Sequence, residues 1–322
     1  MIKVSVCCIT YSHEQYLAQA IESVLAQAFD GVIELVIGED CSPDGTRALA
    51  LAYQEQYPSR IKVLTPAKNL GVMVNLTATL AACDGDYIAI LDGDDYWADP
   101  TKLQRQVNAL QTNPDCAFCF HDAEIGYEAP LTLPSVVFSQ HIASHALPPP
   151  DATAASLRFT QLDLARVGWI APTASLLFRA SSLPRPLPSW FVGVFSGDYT
   201  LQLLSTRHGA ALYLPRIMAY YRLHEQSITV AAEKSVYQFE RRIYEARMFQ
   251  KHVFDKKDKK HADIYLAIQC RAYSDFLGSQ GQRWQQIRYS GRFLFYNWQR
   301  VPLFLERRIQ KIVNLLNKSS AV

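Results

Sequence analysis

The key stretch of this sequence is Tyr87-Ile88-Ala89-Ile90-Leu91-Asp92-Gly93-Asp94-Asp95-Tyr96-Trp97. Its first five residues are mostly apolar and alternate too weakly for a half-exposed strand, so they predict a strand buried on both faces. Three carboxylates follow within four residues and repel one another. Hard divalent cations such as Mg²⁺ or Mn²⁺ are the usual partners of carboxylate oxygen. We therefore predict a metal site where the strand ends, with an acidic surface turn as the alternative.

Strands and helices alternate ahead of this stretch. Residues 3–10, 34–38 and 61–64 are apolar and β-branched, as is typical of central strands. Each of these strands is followed by a segment with apolar residues at helical spacing. Ser12 and Gln15 predict a capping box for the first helix. This alternation with short connections predicts a mostly parallel sheet with helices on both faces.

The loop after the first strand excludes several phosphate-binding folds. It is Thr10-Tyr11-Ser12-His13-Glu14 and contains no glycine. A dinucleotide-binding fold needs G-x-G-x-x-G at this place, and a P-loop needs G-x-x-x-x-G-K-[ST]. The same absence weakens the interpretation as a sugar nucleotidyltransferase.

Composition and charge predict two regions in the 322 residues. Residues 1–233 carry 14 Lys and Arg against 23 Asp and Glu, whereas residues 234–322 carry 18 against 7. No apolar run approaches the roughly 18 residues that cross a bilayer, and Met1-Ile2-Lys3 leads directly into a strand. We therefore expect a cytoplasmic protein whose seven cysteines are reduced thiols.

Four motifs follow one another along residues 1–115: Thr10-Tyr11-Ser12, then Glu39-Asp40-Cys41-Ser42 with Asp44-Gly45-Thr46, then Asn69-x-Gly71 with Asn75, then residues 84–95. In this order they resemble the family 2 inverting glycosyltransferases of GT-A fold. Later segments around Asp198 and His224 resemble the family's later motifs. The resemblance implies a GT-A-like, Rossmann-like domain over residues 1–230, with a nucleotide-binding half (1–115) and an acceptor half (116–230). Residues 231–322 form a basic α-helical extension in this interpretation.

The resemblance also implies an activity and its residues. A sugar passes from a UDP-sugar to a hydroxyl, with Mn²⁺ or Mg²⁺ on the diphosphate and Asp198 as general base. The implied metal ligands are Asp94, Asp95 and His224. The implied nucleotide-sugar-binding residues are Thr10, Tyr11, Glu39, Asp40, Asn75, Asp92, Gly93 and Arg222.

Alternatives remain for several of these roles. A helix cap explains Asp198 equally well from its position, and a lone histidine such as His224 is more often a loop residue than a ligand. The family often has a basic residue at the position of Val74 and an Asp at that of Glu39. The first departure removes one expected contact with the diphosphate. A non-catalytic nucleotide-sugar or glycan-binding scaffold of the same fold is the alternative function.

The C-terminal region carries the remaining predictions about partners. The acceptor is expected to be a glycan or a lipid-linked glycan. The basic and aromatic pattern after residue 233 favours an anionic membrane surface, which would place the protein peripherally on the inner face of the cell membrane. Packing on the catalytic domain or in a homo-oligomer is the alternative. No nucleic-acid partner is expected, because the sequence has no recognised module.

Overall fold

The structure is a computed structural model that describes residues 1–129, 131, 133–142, 146–148, 156–225, 227 and 235–296. The chain divides into two compact units, Met1–Glu233 and Lys234–Val322. Every strand of the described residues lies in the first unit. The described part of the second unit is helical.

One sheet organises the first unit. Its strands are β1 Lys3–Thr10, β2 Val32–Glu39, β3 Ile61–Leu64, β4 Tyr87–Asp92, β5 Tyr96–Trp97, β6 Cys116–Tyr127, β7 Val136–Val137, β8 Leu157–Phe159, β9 Leu177–Arg179 and β10 Ala210–Leu223. The order is β3-β2-β1-β4-β9-β6-β10-β5, with β7 beside β6 and β8 beside β10. The long pairings are parallel, whereas the short strand β9 runs antiparallel between β4 and β6. The predicted mostly parallel sheet is confirmed, and the antiparallel insertion is new.

Helices connect the parallel strands and cover the sheet. In the first unit they are α1 Leu17–Leu25, α2 Thr46–Gln56, α3 Val72–Ala82, α4 Lys102–Thr112, α5 Phe138–His141, α6 Gln161–Val167 and α7 Gly197–Ser205. On α1 the buried residues are Leu17, Ala20, Ile21 and Val24, an i, i+3, i+4, i+7 stripe. This arrangement of a central sheet and covering helices confirms the predicted α/β class.

Strand β4 is buried as its composition predicts. All residues from Tyr87 to Leu91 are buried, and only Asp92 at its carboxyl end is partly exposed. Strand β1 beside it is buried between β2 and β4. The acidic residues therefore begin where the covered part of the sheet ends.

The predicted capping box at Ser12 is wrong. Helix α1 begins at Leu17 after Tyr16, and no side chain caps it. Ser12 instead has φ of 58° and donates its backbone N–H to Ser42 Oγ at 3.0 Å. This left-handed turn allows a hydrogen bond between the loops after β1 and β2. Such a tertiary contact cannot be predicted from the spacing of residues within one loop.

The second unit has its own apolar core. Its helices are α8 Val236–Met248, a π-helical turn Phe249–Val253, α9 Lys259–Ser279 and α10 Arg283–Tyr296. Buried core residues include Ile243, Leu266, Tyr273, Leu277 and Phe293. None of the helices within the described residues is long and apolar enough to cross a bilayer. Residues 297–322 of the predicted basic extension lie outside the described part.

Lys102 is a fully buried lysine at the start of α4. Its Nζ donates to Gln106 Oε1 at 2.7 Å and lies 4.0 Å from the centre of the Trp97 ring. Burial lowers the pKa of Lys102 to about 7, because these neutral partners do not replace the hydration of an ammonium ion.

Replacing Lys102 with Met is expected to alter the pH dependence of the free energy of unfolding. Between the folded pKa of about 7 and the ordinary value of 10.5, the unfolded chain binds more protons at Lys102, so the parent gains stability as the pH rises. The variant lacks this gain. Its stability relative to the parent should fall by on the order of 2 kcal/mol between about pH 7 and about pH 9.

Urea titrations of both proteins at the two pH values measure this difference. The variant also leaves Gln106 Oε1 without its donor, but that loss is the same at both pH values and cancels. A difference between variant and parent that stays constant with pH would contradict a lowered pKa of Lys102.

Candidate active site

Strands β1, β2 and β4 end at the same edge of the sheet. Thr10 lies opposite Glu39 in the β1–β2 register, and Ile9 lies opposite Asp92 in the β1–β4 register. The backbone N–H of Gly93 donates to Ile9 O at 2.9 Å, which draws the acidic segment against β1. The structure thus brings three predicted positions together at one edge.

Gly93 is needed for this close approach. A Cβ at this position would lie 2.5 Å from Thr10 Oγ1 and 3.0 Å from His13 Nδ1. Any side chain would therefore displace the loop after β1. Thr10 Oγ1 and His13 Nδ1 lie 3.2 Å apart and form a hydrogen bond over the glycine.

Asp94 lies between two histidines. Its Oδ2 is 3.1 Å from His224 Nε2 and 3.7 Å from His13 Nε2. The ligand atoms of His13, Asp94 and His224 all lie within 4.8 Å of one another, as three residues that hold one ion would. We call this group the His-Asp-His cluster. It unites the predicted ligands Asp94 and His224 with His13, which the sequence analysis missed.

The protonation states in the cluster suit a metal ion. Burial opposes ionisation of Asp94, but attraction to His13 and His224 outweighs it and lowers the pKa of the carboxyl. Burial also lowers the pKa of His13. An ionised carboxylate and a neutral imidazole are the forms that bind metals. The donor set therefore fits a divalent cation, and its two nitrogens suit Mn²⁺ better than Mg²⁺, which prefers oxygen ligands.

Asp95 lies beside the cluster and binds Arg222. Its Oδ1 accepts the backbone N–H of Arg222 at 2.8 Å, and burial raises the pKa of Asp95 well above its usual value. Asp95 Oδ2 is buried and has no hydrogen-bond partner among the described residues. Asp95 does not belong to the group of side chains that can share one ion. Its role as a metal ligand stays a prediction.

Arg222 connects several parts of the site. Its Nε donates to Asp94 O at 2.7 Å, and its terminal nitrogens donate to Glu128 Oε1 at 2.5 Å and Gln19 Oε1 at 2.7 Å. The guanidinium also lies 4.6 Å from the centre of the Tyr16 ring. These contacts hold the backbone of Asp94 in place. The predicted contact of Arg222 with a nucleotide-sugar stays a prediction.

Asp198 approaches the acidic segment although 103 residues separate it from Asp95. It lies in the first turn of α7, where Ser196 and not Asp198 is the N-cap. Its Oδ2 accepts from Trp169 Nε1 at 2.8 Å and from Thr173 Oγ1 at 3.4 Å. Asp198 is therefore not the N-cap residue of α7, although its carboxylate also accepts from the backbone N–H of Tyr199.

Thr173 Oγ1, which donates to Asp198, also lies near the carboxyl of Asp92. The pKa of Asp92 is raised well above its usual value by burial and by repulsion from Asp94 and Asp198. Burial likewise raises the pKa of Asp198. Asp92, Asp94 and Asp198 thus share one electrostatic environment. Sequence reasoning did not single out Thr173.

The predicted nucleotide-binding residues after β2 order the surrounding loops. Both carboxylate oxygens of Asp40 accept backbone N–H groups, from Leu70 at 2.8 Å and from Gly71 at 2.9 Å. Asn75 Nδ2 donates to Gly38 O at 2.7 Å and ties α3 to β2. Each carboxylate oxygen can accept a further bond, so these contacts leave a nucleotide contact of Asp40 open.

Glu39 and Tyr11 differ in their surroundings. Glu39 is fully buried, with its Oε1 accepting from Ser42 N at 2.7 Å and its Oε2 from Arg47 Nε at 2.5 Å. Tyr11 is 45% exposed beside this edge of the sheet. Asp122 on β6 is fully buried, and its carboxylate accepts from Ser139 N at 3.0 Å.

A family model described as Glycosyl transferase family 2 matches residues 5–157. Over these residues the chain is similar to glycosyltransferase family 2. The matched part contains His13 and Asp94 of the cluster, whereas His224 and Asp198 lie beyond it.

Relatives of this chain include an uncharacterized protein of Mycobacterium tuberculosis. It is 30% identical over 246 residues, which make up 76% of this chain and 64% of that protein. Another is the UDP-Glc:α-D-GlcNAc-diphosphoundecaprenol β-1,3-glucosyltransferase WfgD of Escherichia coli, 33% identical over 122 residues, or 38% of this chain and 46% of WfgD. The chain thus spans less than two thirds of either relative.

Solved structures show the same fold at lower identity. S. aureus TarS 1–349 in complex with UDP-GlcNAc gives a TM-score of 0.59 at 18% identity, covering 92% of this chain and 81% of that one. The mannosyltransferase PcManGT from Pyrobaculum calidifontis, in complex with GDP-Man and Mn²⁺, gives 0.55 at 12% identity, covering 92% and 86%. The expected GT-A-like fold of this chain is confirmed.

Proposed function

We propose that this chain transfers a sugar from a UDP-sugar to a hydroxyl group of a glycan or lipid-linked acceptor, with inversion at the anomeric carbon. The observation that carries the proposal is the convergence of Asp198 with Asp92 and the His-Asp-His cluster. A binding scaffold without catalytic activity has no need to keep three carboxylates close together, where each raises the cost of ionising the next.

His13, Asp94 and His224 are the side chains that hold the metal ion in this proposal. A divalent cation bound there supplies a Lewis acid that neutralises charge on the leaving diphosphate. The spacing of the three ligand atoms and the two imidazole donors support Mn²⁺ as the preferred ion. Arg222 fixes the backbone of Asp94, so it positions the central ligand of the cluster.

Asp198 is the proposed general base. The acceptor oxygen bonds to the anomeric carbon, the bond from that carbon to the diphosphate oxygen breaks, and the proton of the hydroxyl passes to the Asp198 carboxylate. Trp169 and Thr173 orient this carboxylate by their hydrogen bonds. Its raised pKa makes it a stronger base than an exposed aspartate.

Asp40 supports a uracil nucleotide as the donor. A carboxylate accepts a hydrogen bond from the N3–H of uracil, which suits a UDP-sugar better than a purine nucleotide. TarS binds UDP-GlcNAc and WfgD is a UDP-Glc transferase, whereas PcManGT binds GDP-Man. WfgD also acts on a diphosphoundecaprenol-linked sugar, which supports a lipid-linked acceptor here. We retain residues 1–115 as the nucleotide-binding half and 116–230 as the acceptor half.

Calorimetry with UDP and the full chain tests the donor and metal together. We expect UDP to bind in Mn²⁺ and to bind more weakly in Mg²⁺. In chelator the cluster has no cation to attract the diphosphate, so the affinity should be at least tenfold lower, a loss of about 1.4 kcal/mol or more of binding free energy. GDP serves as the matched nucleotide and should bind about tenfold less tightly, since the site loses the uracil contact.

Two results would overturn parts of this proposal. Absence of UDP binding in every condition would remove the donor assignment. Tight UDP binding without any release of UDP from UDP-Glc or UDP-GlcNAc, with lipid-linked and soluble glycan acceptors supplied, would favour the non-catalytic scaffold.

A further inference from the structure

Helix α10 has one face packed in the second unit and one face exposed to solvent. On the packed face, the Tyr289 ring lies 4.6 Å from Tyr273, Ser290 Oγ lies 2.7 Å from Ser274 Oγ, and Phe293 joins the core. The opposite face carries Trp284, Ile287, Arg288 and Gly291, at the i, i+3, i+4, i+7 positions of one stripe.

The exposed face combines apolar and basic side chains. Trp284 is 86% exposed and Ile287 is 61% exposed. Arg283 and Arg288 are exposed next to them in the sequence. The sequence from residue 276 to residue 305 contains no Asp or Glu. A large exposed aromatic ring on a basic helix without acidic residues is unfavourable in water and favourable at a lipid headgroup layer, where the ring is buried and arginine meets phosphate.

We propose that this face, which we call the Trp284 face, docks the chain on an anionic lipid bilayer. Trp284 and Ile287 enter the boundary between headgroups and acyl chains, while Arg283 and Arg288 contact anionic headgroups. An anionic polysaccharide or nucleic acid would match the charge and give the indole a stacking partner, but it would leave the isoleucine side chain in water. The Trp284 face belongs to the second unit, so lipid binding is separate from the proposed reaction of the first unit.

Co-sedimentation of the full chain with vesicles tests the docking. Vesicles of phosphatidylglycerol and phosphatidylcholine should bind the parent at low salt and release it as salt screens the attraction, whereas pure phosphatidylcholine should bind it at least about tenfold less. The double variant Trp284→Ser, Ile287→Ser should lower binding to anionic vesicles at least about tenfold. The double variant Arg283→Gln, Arg288→Gln should also bind less and depend less on salt.

Ile268→Gln is the matched control. Ile268 is 54% exposed on α9, and the same helix face carries Asp275, which pairs with Arg271 at 2.8 Å. Its vesicle binding should equal that of the parent. UDP affinity should be the same in all variants, which shows that the first unit is folded and separates a failure of docking from a failure of the proposed function.

Three results would overturn the proposal. Equal binding of the parent to neutral and anionic vesicles would remove the charge recognition. Unchanged vesicle binding of the Trp284→Ser, Ile287→Ser variant would place docking elsewhere. If that variant bound vesicles as the parent does but had a lower sedimentation coefficient than the parent, the Trp284 face would be a contact between two copies of the chain.

Discussion

Replacing Asp198 with Asn is expected to lower turnover by roughly 10²-fold or more and to leave UDP affinity within about twofold of the parent. The amide cannot take the proton of the acceptor hydroxyl. Its oxygen can still accept from Trp169 Nε1, now 2.8 Å from the carboxylate, so the local structure should persist. Release of UDP from UDP-Glc or UDP-GlcNAc in Mn²⁺ measures turnover, and calorimetry measures the affinity for UDP.

The pH profile of the parent gives the same prediction a second readout. Burial raises the pKa of Asp198, so the protonated and inactive form persists to a higher pH than for an exposed aspartate. The rate should therefore rise with pH until this carboxyl is ionised. The residual rate of the Asn variant should lack that rise.

Asp163→Asn is the matched control for Asp198→Asn. Asp163 also lies in the first turn of a helix, where it forms a capping box with Thr160. This control should lose about 1 kcal/mol of stability and keep its turnover. Equal losses of turnover in the two variants would indicate a general effect on folding, and parent-like turnover of Asp198→Asn would place the base elsewhere.

The sheet could be predicted from the sequence because each buried strand is a short, continuous run of apolar residues. Strands β1 and β3 have the bounds that their apolar runs predict, and β4 is buried up to the first carboxylate. Strand β9, Leu177–Arg179, could not be predicted in the same way. It has three residues, and only its position between β4 and β6 makes it a strand.

The site was only partly predictable because its geometry depends on distant residues. His13 occupies the loop after β1 and gave no spacing signal, since its neighbours Asp94 and His224 follow 81 and 211 residues later. The absence of glycine from that loop excluded other folds, but it did not reveal a ligand. The hydrogen bond from Thr173 to Asp198 likewise exists only in the folded chain.

Burial also gave several predicted residues contacts that the sequence did not predict. Asp40 was singled out for a nucleotide, and the structure adds two bonds from the backbone of Leu70 and Gly71. Arg222 was singled out for the nucleotide-sugar, and it also braces Asp94 and Glu128. Buried polar groups need partners, so a site residue within a fold acquires such contacts whatever its role in binding.

Replacing Asp94 with Asn should abolish the increase in UDP affinity that Mn²⁺ provides. The carboxylate is the only anionic member of the His-Asp-His cluster, and an amide oxygen is a much weaker ligand for a divalent cation. We expect the affinity for UDP in Mn²⁺ to fall at least about tenfold, to the value that the parent shows in chelator. Turnover should fall together with the affinity for UDP. Asp198→Asn should lower turnover alone, so comparing the two variants separates metal-dependent binding from proton transfer.

Asp95→Asn is the control that distinguishes the two adjacent carboxylates. Its Oδ1 can still accept the backbone N–H of Arg222, so the loop should keep its structure. If His13, Asp94 and His224 hold the ion, Asp95→Asn should retain most of the Mn²⁺ dependence that Asp94→Asn loses, and His13→Gln should lose part of it. Equal losses in Asp95→Asn and Asp94→Asn would restore Asp95 as a ligand, and a parent-like response of Asp94→Asn to Mn²⁺ would exclude the cluster as the metal site.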